Sequence, residues 1–202
     1  MNPTSLDHVA LWVTERDVIA DFVTSNLGMH VIERTDRFTL VGADARRGKL
    51  TLFEAEGPRE RGALERIGLR VSGAEPETHE LPDGLVLAVA DGDDTLDYVT
   101  LRSPDPEAAA RDWLRFGFQP AGERRVEVGG AYVELVEGDV AESERPLLNH
   151  LAVLVDRAAP AQDAGFEVAD VVDAENTFAV FVWGPDRVKL EYVEHKASFS
   201  LR

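Results

Sequence analysis

The 202-residue sequence contains no cysteine. That absence excludes disulfides, thiolate nucleophiles, iron–sulfur clusters and every cysteine type of zinc site, so any metal must rest on nitrogen and oxygen ligands. Basic charge is scarce: 21 Lys and Arg against 38 Asp and Glu leave a formal charge of −17. A phosphate backbone would be repelled, and no basic stripe offsets this locally, so nucleic acid is not an expected partner. Long apolar runs are missing too. None approaches the roughly 18 residues of a membrane span, and the amino terminus lacks the basic start and apolar stretch of a secretory signal. A membrane is therefore not expected as a partner, and a cytoplasmic location is. What the chain does have is 44% hydrophobic residues, enough for one large domain or two small ones with real cores.

The sequence repeats itself. LDHVAL at 6–11 returns as LDYVTL at 96–101. Each strand-like stretch leads into an acidic helical segment, TERDVIADFVTSNLG in one and SPDPEAAARDWLRFG in the other. Asp105 followed by Pro106 reads as a cap with proline in the first turn, and Gly28 and Gly117 stand where a left-handed residue would end each helix. β-like segments follow: MHVIERTD, RFTLVGA and KLTLFEAE in the first copy, FQPAGERRVEV and GGAYVELVEG in the other. The unit is strand, helix, then two or three strands.

Two worn copies complete the set. Residues 149–195 keep the strands but have only an Ala-rich connector in place of the helix, while LERIGLRVSG at 64–73 and the segment PETHELPDGLVLAVADG have strands and no helical pattern. Acidic, turn-rich dividers lie around 56–63, at 91–95 and at 138–146. The middle one, DGDDT, is the expected domain boundary, giving similar α+β halves at 1–92 and 93–202.

LDHVAL, LDYVTL, LNHLAV and NTFAVFVWGPDRVKLEYVE, in that order, resemble the vicinal oxygen chelate superfamily of glyoxalases, bleomycin-resistance proteins and extradiol dioxygenases. The resemblance implies tandem βαβββ modules, paired so that mixed sheets curl around a cup. It also implies a metal held by one residue from the first and one from the last strand of each paired module. Carried onto this chain, the first module offers His8 and Thr51, the second Arg66 and an aliphatic residue near Leu87, the third Tyr98 and Glu134, the fourth His150 and Glu191. Pairing neighbours puts Glu134, His150 and Glu191 together in the second half with Tyr98 close by, and leaves His8 in a first half without a complete site. Pairing the first module with the fourth would instead gather His8, His150 and Glu191.

The residues themselves fit a buried site. His150 lies in LLNHLAVLV, and strict alternation puts it on one face with Leu148, Ala152 and Leu154 and Asn149 on the other. Glu134 sits between Val133 and Leu135, Glu191 between Leu190 and Tyr192; a carboxylate buried there needs a cation or a donor, whereas on a half-exposed strand it needs neither. His195 shares a strand face with Glu191 and is a candidate acid or base, as is Tyr98. His30 and His79 read as surface residues. Trp12, Trp113, Phe116 and Phe118 read as helix-to-sheet packing, and Trp183 as a cover for the cup.

The resemblance implies a divalent metal, with Fe(II) favoured and Zn(II), Ni(II) or Mn(II) as substitutes, acting on a small molecule with adjacent oxygens; a homodimer is compatible with it. Two activities follow: extradiol-type ring cleavage, or Lewis-acid chemistry of the glyoxalase or epimerase kind. Tyr98 departs from the dioxygenase pattern. A non-catalytic binding protein of the bleomycin-resistance type is the third reading.

Overall fold

The computed structural model describes residues 2–140 and 145–201, so part of the divider at 138–146 lies outside the described residues. The four repeats are all present as folded units. The first comprises β1 (Ser5–Val13), α1 (Arg16–Asn26), β2 (His30–Arg34), β3 (Phe38–Gly42) and β4 (Lys49–Glu54). β5 (Leu64–Val71), β6 (Glu77–Glu80) and β7 (Val86–Asp91) form the second, without an α-helix. The third contains β8 (Thr95–Ser103), α2 (Pro106–Trp113), β9 (Gln119–Gly122), β10 (Arg125–Val128) and β11 (Ala131–Glu137). In the fourth, β12 (Leu148–Leu154) is followed by a single 3-10 segment, Ala159–Asp163, and then by β13 (Val168–Asp173), β14 (Thr177–Trp183) and β15 (Lys189–His195).

Both helices stop where the sequence has its signal, whereas only α2 has a capped start, α1 beginning after Glu15 without a side-chain cap. Asp105 accepts from the Ala108 amide at 2.9 Å and Pro106 occupies the first turn of α2. Gly28 and Gly117 take the left-handed conformation, φ 65° and 95°, just beyond the helical segments. α1 turns Ile19, Ala20 and Val23 onto its sheet, and α2 does the same with Ala109, Ala110 and Trp113.

The modules do not pair as neighbours. One sheet runs β13-β14-β15-β12-β1-β4-β3-β2 and the other β6-β7-β5-β8-β11-β10-β9. Thus the first module joins the fourth through the antiparallel pair β1·β12, and the second joins the third through β5·β8. The expected halves at 1–92 and 93–202 are corrected accordingly, because that cut would separate strands that share a sheet. Each first strand carries a run of buried apolar residues and so specifies burial without specifying a partner. One continuous apolar core spans both sheets. Within it the buried Tyr192 hydroxyl of β15 donates to the Phe116 carbonyl after α2 at 2.9 Å.

Both central strand pairs carry the same two irregularities. Leu6 and His8 face the consecutive residues Val153 and Ala152, so Asp7 is an extra residue; Ala10 and Leu11 face His150 and Leu148, so Asn149 is another. In the second sheet Glu65 and Asp97 are the extra residues, immediately before Arg66 and Tyr98. A bulge turns two successive side chains toward one side. All four therefore sit in a Leu-(Asp, Glu or Asn)-X triplet, at 6–8, 64–66, 96–98 and 148–150.

A candidate metal centre on the first sheet

The floor of the first cup is set by strand register. Ala10 of β1 lies opposite His150 of β12 and beside Thr51 of β4, while Ala152 lies opposite His8 and beside Glu191 of β15. Small residues at 10 and 152 leave room for the four side chains around them. Three of these converge: Nε2 of His8 and of His150 are 3.1 Å apart, and Glu191 Oε2 is 3.2 Å from the first and 2.9 Å from the second. Thr51, the fourth, stands where Glu191 stands in the other module and brings no carboxylate.

Each imidazole is held from behind by the bulged residue that precedes it. His8 Nδ1 donates to Asp7 Oδ1 at 2.8 Å, and His150 Nδ1 donates to Asn149 Oδ1 at 3.0 Å. Both oxygens can only accept, so both Nδ1 atoms carry hydrogen and both Nε2 lone pairs are aimed at Glu191 and at each other. Asp7 is itself buried, accepting from Lys49 Nζ at 2.8 and 2.9 Å and lying 3.3 Å from His195 Nε2. Lys49 also donates to the Ala45 carbonyl.

Three electron-pair donors about 3 Å apart repel unless positive charge lies between them. Without a metal that charge is a proton. Burial alone would lower the His8 pKa, but the Glu191 charge and the hydrogen bonds to Asp7 and Glu191 override it and raise it to about 9. Burial pushes His150 down despite Glu191. Glu191, which burial would raise, is brought down to about 2 by the two histidines. Asp7 is likewise lowered, its burial outweighed by His195, His8 and Lys49. A divalent cation fits the same place. Ligands at roughly 2.1 Å on one face of an octahedron are about 3.0 Å apart, close to the observed 2.9, 3.1 and 3.2 Å.

Aromatic rings wall the cup: Phe181 lies edge-on to His150 at 5.1 Å, and Phe53 packs on Phe38 and Trp12. A cleft of about 840 Å³ between the two sheets is lined by Trp12, Asn149, Trp183 and Lys189 among others. Its lining does not include the triad itself. Trp12 thus lines a cleft rather than filling the helix–sheet interface, unlike Trp113, Phe116 and Phe118, which are buried as expected. Trp183 lines the same cleft and lies opposite Lys189.

The other expected site residues lie elsewhere. Glu134 is on β11 of the second sheet, accepting from Arg125 at 3.0 Å and Thr100 at 3.3 Å. Its separation from His150 and Glu191 is a correction that follows from the module pairing. Tyr98 belongs to the second cup as well, stacked on Tyr132 at 5.1 Å and lying over Gly68. His8, expected to be remote from His150, is its neighbour. His195 does share the cup face of β15, but its ring bonds to Asp7 behind His8. His30 is exposed, whereas His79 packs against Phe22 of α1 at 5.0 Å. The second module's fourth position is Ala88, opposite Gly68; Leu87 points into the core. Asp7 and Asn149 were missed because strict alternation puts them on the far face; the signal that finds them is the fourfold Leu-(Asp, Glu or Asn)-X triplet.

Comparison with known proteins agrees with this architecture. No curated protein sequence matches the chain. Among solved structures, a putative dioxygenase from Bacillus subtilis subsp. subtilis str. 168 superposes with a TM-score of 0.73 at 15% identity, covering 98% of this chain and 87% of that one. Glyoxalase I from Zea mays gives 0.72 at 15% identity, covering 94% and 92%. The cppA protein from Streptococcus pneumoniae TIGR4 gives 0.67 at 16% identity, covering 96% and 99%. At these identities the likeness concerns the fold. Residues 5–93 match the profile of the Glyoxalase/Bleomycin resistance protein/Dioxygenase superfamily, and the chain as a whole has the fold seen in these solved structures.

Proposed function

We propose that this protein is a metal-dependent enzyme of the extradiol-dioxygenase type, with His8, His150 and Glu191 holding a divalent ion, Fe(II) foremost, and with a small substrate that presents two adjacent oxygens. The observation that carries this reading is the mutual approach of two imidazole nitrogens and one carboxylate oxygen within 4.8 Å. Two histidines and one carboxylate on a single face is the donor set of non-haem Fe(II) oxygenases. When bound, such an ion supplies open coordination positions for two substrate oxygens and, as Fe(II), for dioxygen.

The chain's own residues do the rest. Glu191 provides the negative charge that offsets part of a divalent cation. Asp7 and Asn149 lock both histidines with Nε2 forward. Phe53 and Phe181 give a flat substrate an apolar slot beside the donors. Thr51 at the fourth position keeps the donor set at three, which favours ring cleavage over an isomerase reading that requires an additional carboxylate for proton transfer.

Anaerobic loading with Fe(II), addition of catechol and admission of air test the proposal. Bound iron, a catecholate absorption band and oxygen uptake are expected; all three should be lost in His8→Ala, His150→Ala and Glu191→Ala, whereas Glu134→Ala should keep its metal. Proton exchange next to a carbonyl by a Zn(II) or Ni(II) form without oxygen uptake would replace ring cleavage with Lewis-acid chemistry. Failure of every form to retain stoichiometric metal would leave a binding protein.

A further inference from the structure

Lys189 is a half-buried cation on β15 with no task in holding a metal. It precedes Glu191 by two residues on β15, so both side chains share a face and their Cα atoms are about 7 Å apart along the strand. Its cross-strand partner is Trp183, as Phe181 is the partner of Glu191. The ammonium lies 5.2 Å from the Trp183 ring centre. Among the described residues no carboxylate oxygen lies within 4.0 Å of it, although this chain has far more acids than bases. Arg187, over the same ring at 4.2 Å, is by contrast paired with Glu167 at 2.9 Å.

The surroundings of Lys189 describe a ligand. The cleft of about 840 Å³ is lined by Lys189, Trp12 and Trp183, within the size range of small-molecule sites. On β1 and β4, Trp12 and Phe53 are in register and follow Ala10 and Thr51 by two residues, so aromatic surface continues from the triad toward the cleft. Arg145 caps the far Trp12 ring at 5.2 Å. Asp186 and Arg187 also line the cleft, and Arg187 is paired with Glu167, so among the described residues Lys189 is the lining cation without a direct carboxylate partner, which suits a ligand with one acidic group. The Asp170 charge on β13 acts on Lys189 from a distance, yet no carboxylate pairs with it directly among the described residues, and a half-buried ammonium without a direct partner gains from an anion that arrives with the ligand.

We propose that Lys189 is a specificity-determining residue: the substrate carries, beyond its adjacent oxygens, a carboxylate on a short arm that pairs with Lys189, its flat body lying along Phe53 and Phe181. This rests on the triad reading given above. The Zn(II)-loaded protein, which does not turn the probes over, can be titrated anaerobically by calorimetry with three of them. Dihydrocaffeate has adjacent hydroxyls and a carboxylate arm, ethylcatechol has the hydroxyls alone, and hydrocinnamate has the carboxylate alone. The wild type is expected to prefer dihydrocaffeate over ethylcatechol on the order of tenfold. That ratio should collapse to near one in Lys189→Met at unchanged zinc content and return in part in Lys189→Arg. Equal affinities in the wild type, a preference that survives in Lys189→Met, or no binding of any probe would overturn the assignment. If hydrocinnamate binds as tightly as dihydrocaffeate and loses affinity in Lys189→Met, the carboxylate site stands and the adjacent-oxygen reading fails.

Discussion

Replacing Asp7 by Asn separates what this carboxylate does for the metal site from what it does for the fold. In the native arrangement Asp7 Oδ1 accepts from His8 Nδ1 at 2.8 Å while both oxygens face Lys49 Nζ at 2.8 and 2.9 Å, all with little solvent contact. An amide keeps the shape and one acceptor oxygen, but that oxygen can no longer serve Lys49 and His8 as an ionised carboxylate does. If Lys49 takes it, the amide NH2 faces His8 Nδ1 and favours the tautomer whose Nε2 carries hydrogen and cannot ligate. Loss of a carboxylate behind a ligating histidine typically weakens metal binding about 10- to 100-fold, or roughly 1.4 to 2.7 kcal/mol. Stability responds separately, since removing one partner of a buried ion pair costs about 3–5 kcal/mol when nothing replaces it. Asp7→Asn should lose part of that and Asp7→Ala most of it. Lys49→Met is the complementary change: Asp7 keeps His8 and His195 as partners, so metal affinity should move far less than in Asp7→Asn. Competition against a chromophoric chelator at pH 7 measures the first effect, and thermal unfolding of the chelator-treated protein the second. An Asp7→Asn affinity for Zn(II) within about twofold of wild type would refute the assignment of Asp7 as the residue that orients His8.

Two further outcomes follow from the same geometry. His8 is raised from 6.5 to about 9 in the metal-free protein, so its protonation contributes stability that is complete below pH 6.5 and is lost as pH rises through about 9, a change on the order of 3 kcal/mol. Thermal unfolding from pH 6 to 10 should therefore show a falling midpoint for the metal-free form and a much flatter one with zinc bound, since the ion replaces the proton; parallel curves would contradict a shared position. At Gly68 an added Cβ would come within 2.2 Å of the Tyr98 ring, so Gly68→Ala should destabilise the second sheet by about 1–3 kcal/mol without changing metal content, and a loss of zinc on that substitution would show coupling between the cups.

Repetition was the legible part of the sequence. Module boundaries, α1, α2 and their capping residues could be read because each depends on residues close in the chain: Asp105 with Pro106, Gly28, Gly117. His150 and Glu191 stood out because polar groups in apolar strands need partners. The pairing of modules was not legible in that way. β1, β5, β8 and β12 each carry a run of buried apolar residues, so their composition demands burial and is indifferent to which neighbour provides it. Misplacing Glu134 and separating His8 from His150 both descend from that one ambiguity. Asp7 and Asn149 escaped for a second reason: a bulge breaks the alternation on which facing is inferred, and it shows in sequence only once four copies of the triplet are aligned.

Among the described residues one cup gathers a candidate ion site and the other does not. Both have bulged acids or an amide before the first-strand residue, and both place a glutamate beside the small or hydroxylated residue two positions on, Glu191 beside Ala152 and Glu134 beside Thr100. In the first cup the bulged residues face histidines and brace them from behind. In the second, Glu65 and Asp97 instead pair outward with Arg102 at 2.6 Å and Arg70 at 3.0 Å. Where the first cup has His8 and His150, the second has Arg66 and Tyr98, an obligate cation and a ring that fills the space above Gly68. Arg66 brings positive charge that a metal ion would have to displace, and Arg125 already neutralises Glu134. The first cup therefore gathers lone pairs that lack a cation, whereas in the second Arg125 neutralises Glu134 and a guanidinium and a phenol ring stand where the first has imidazoles.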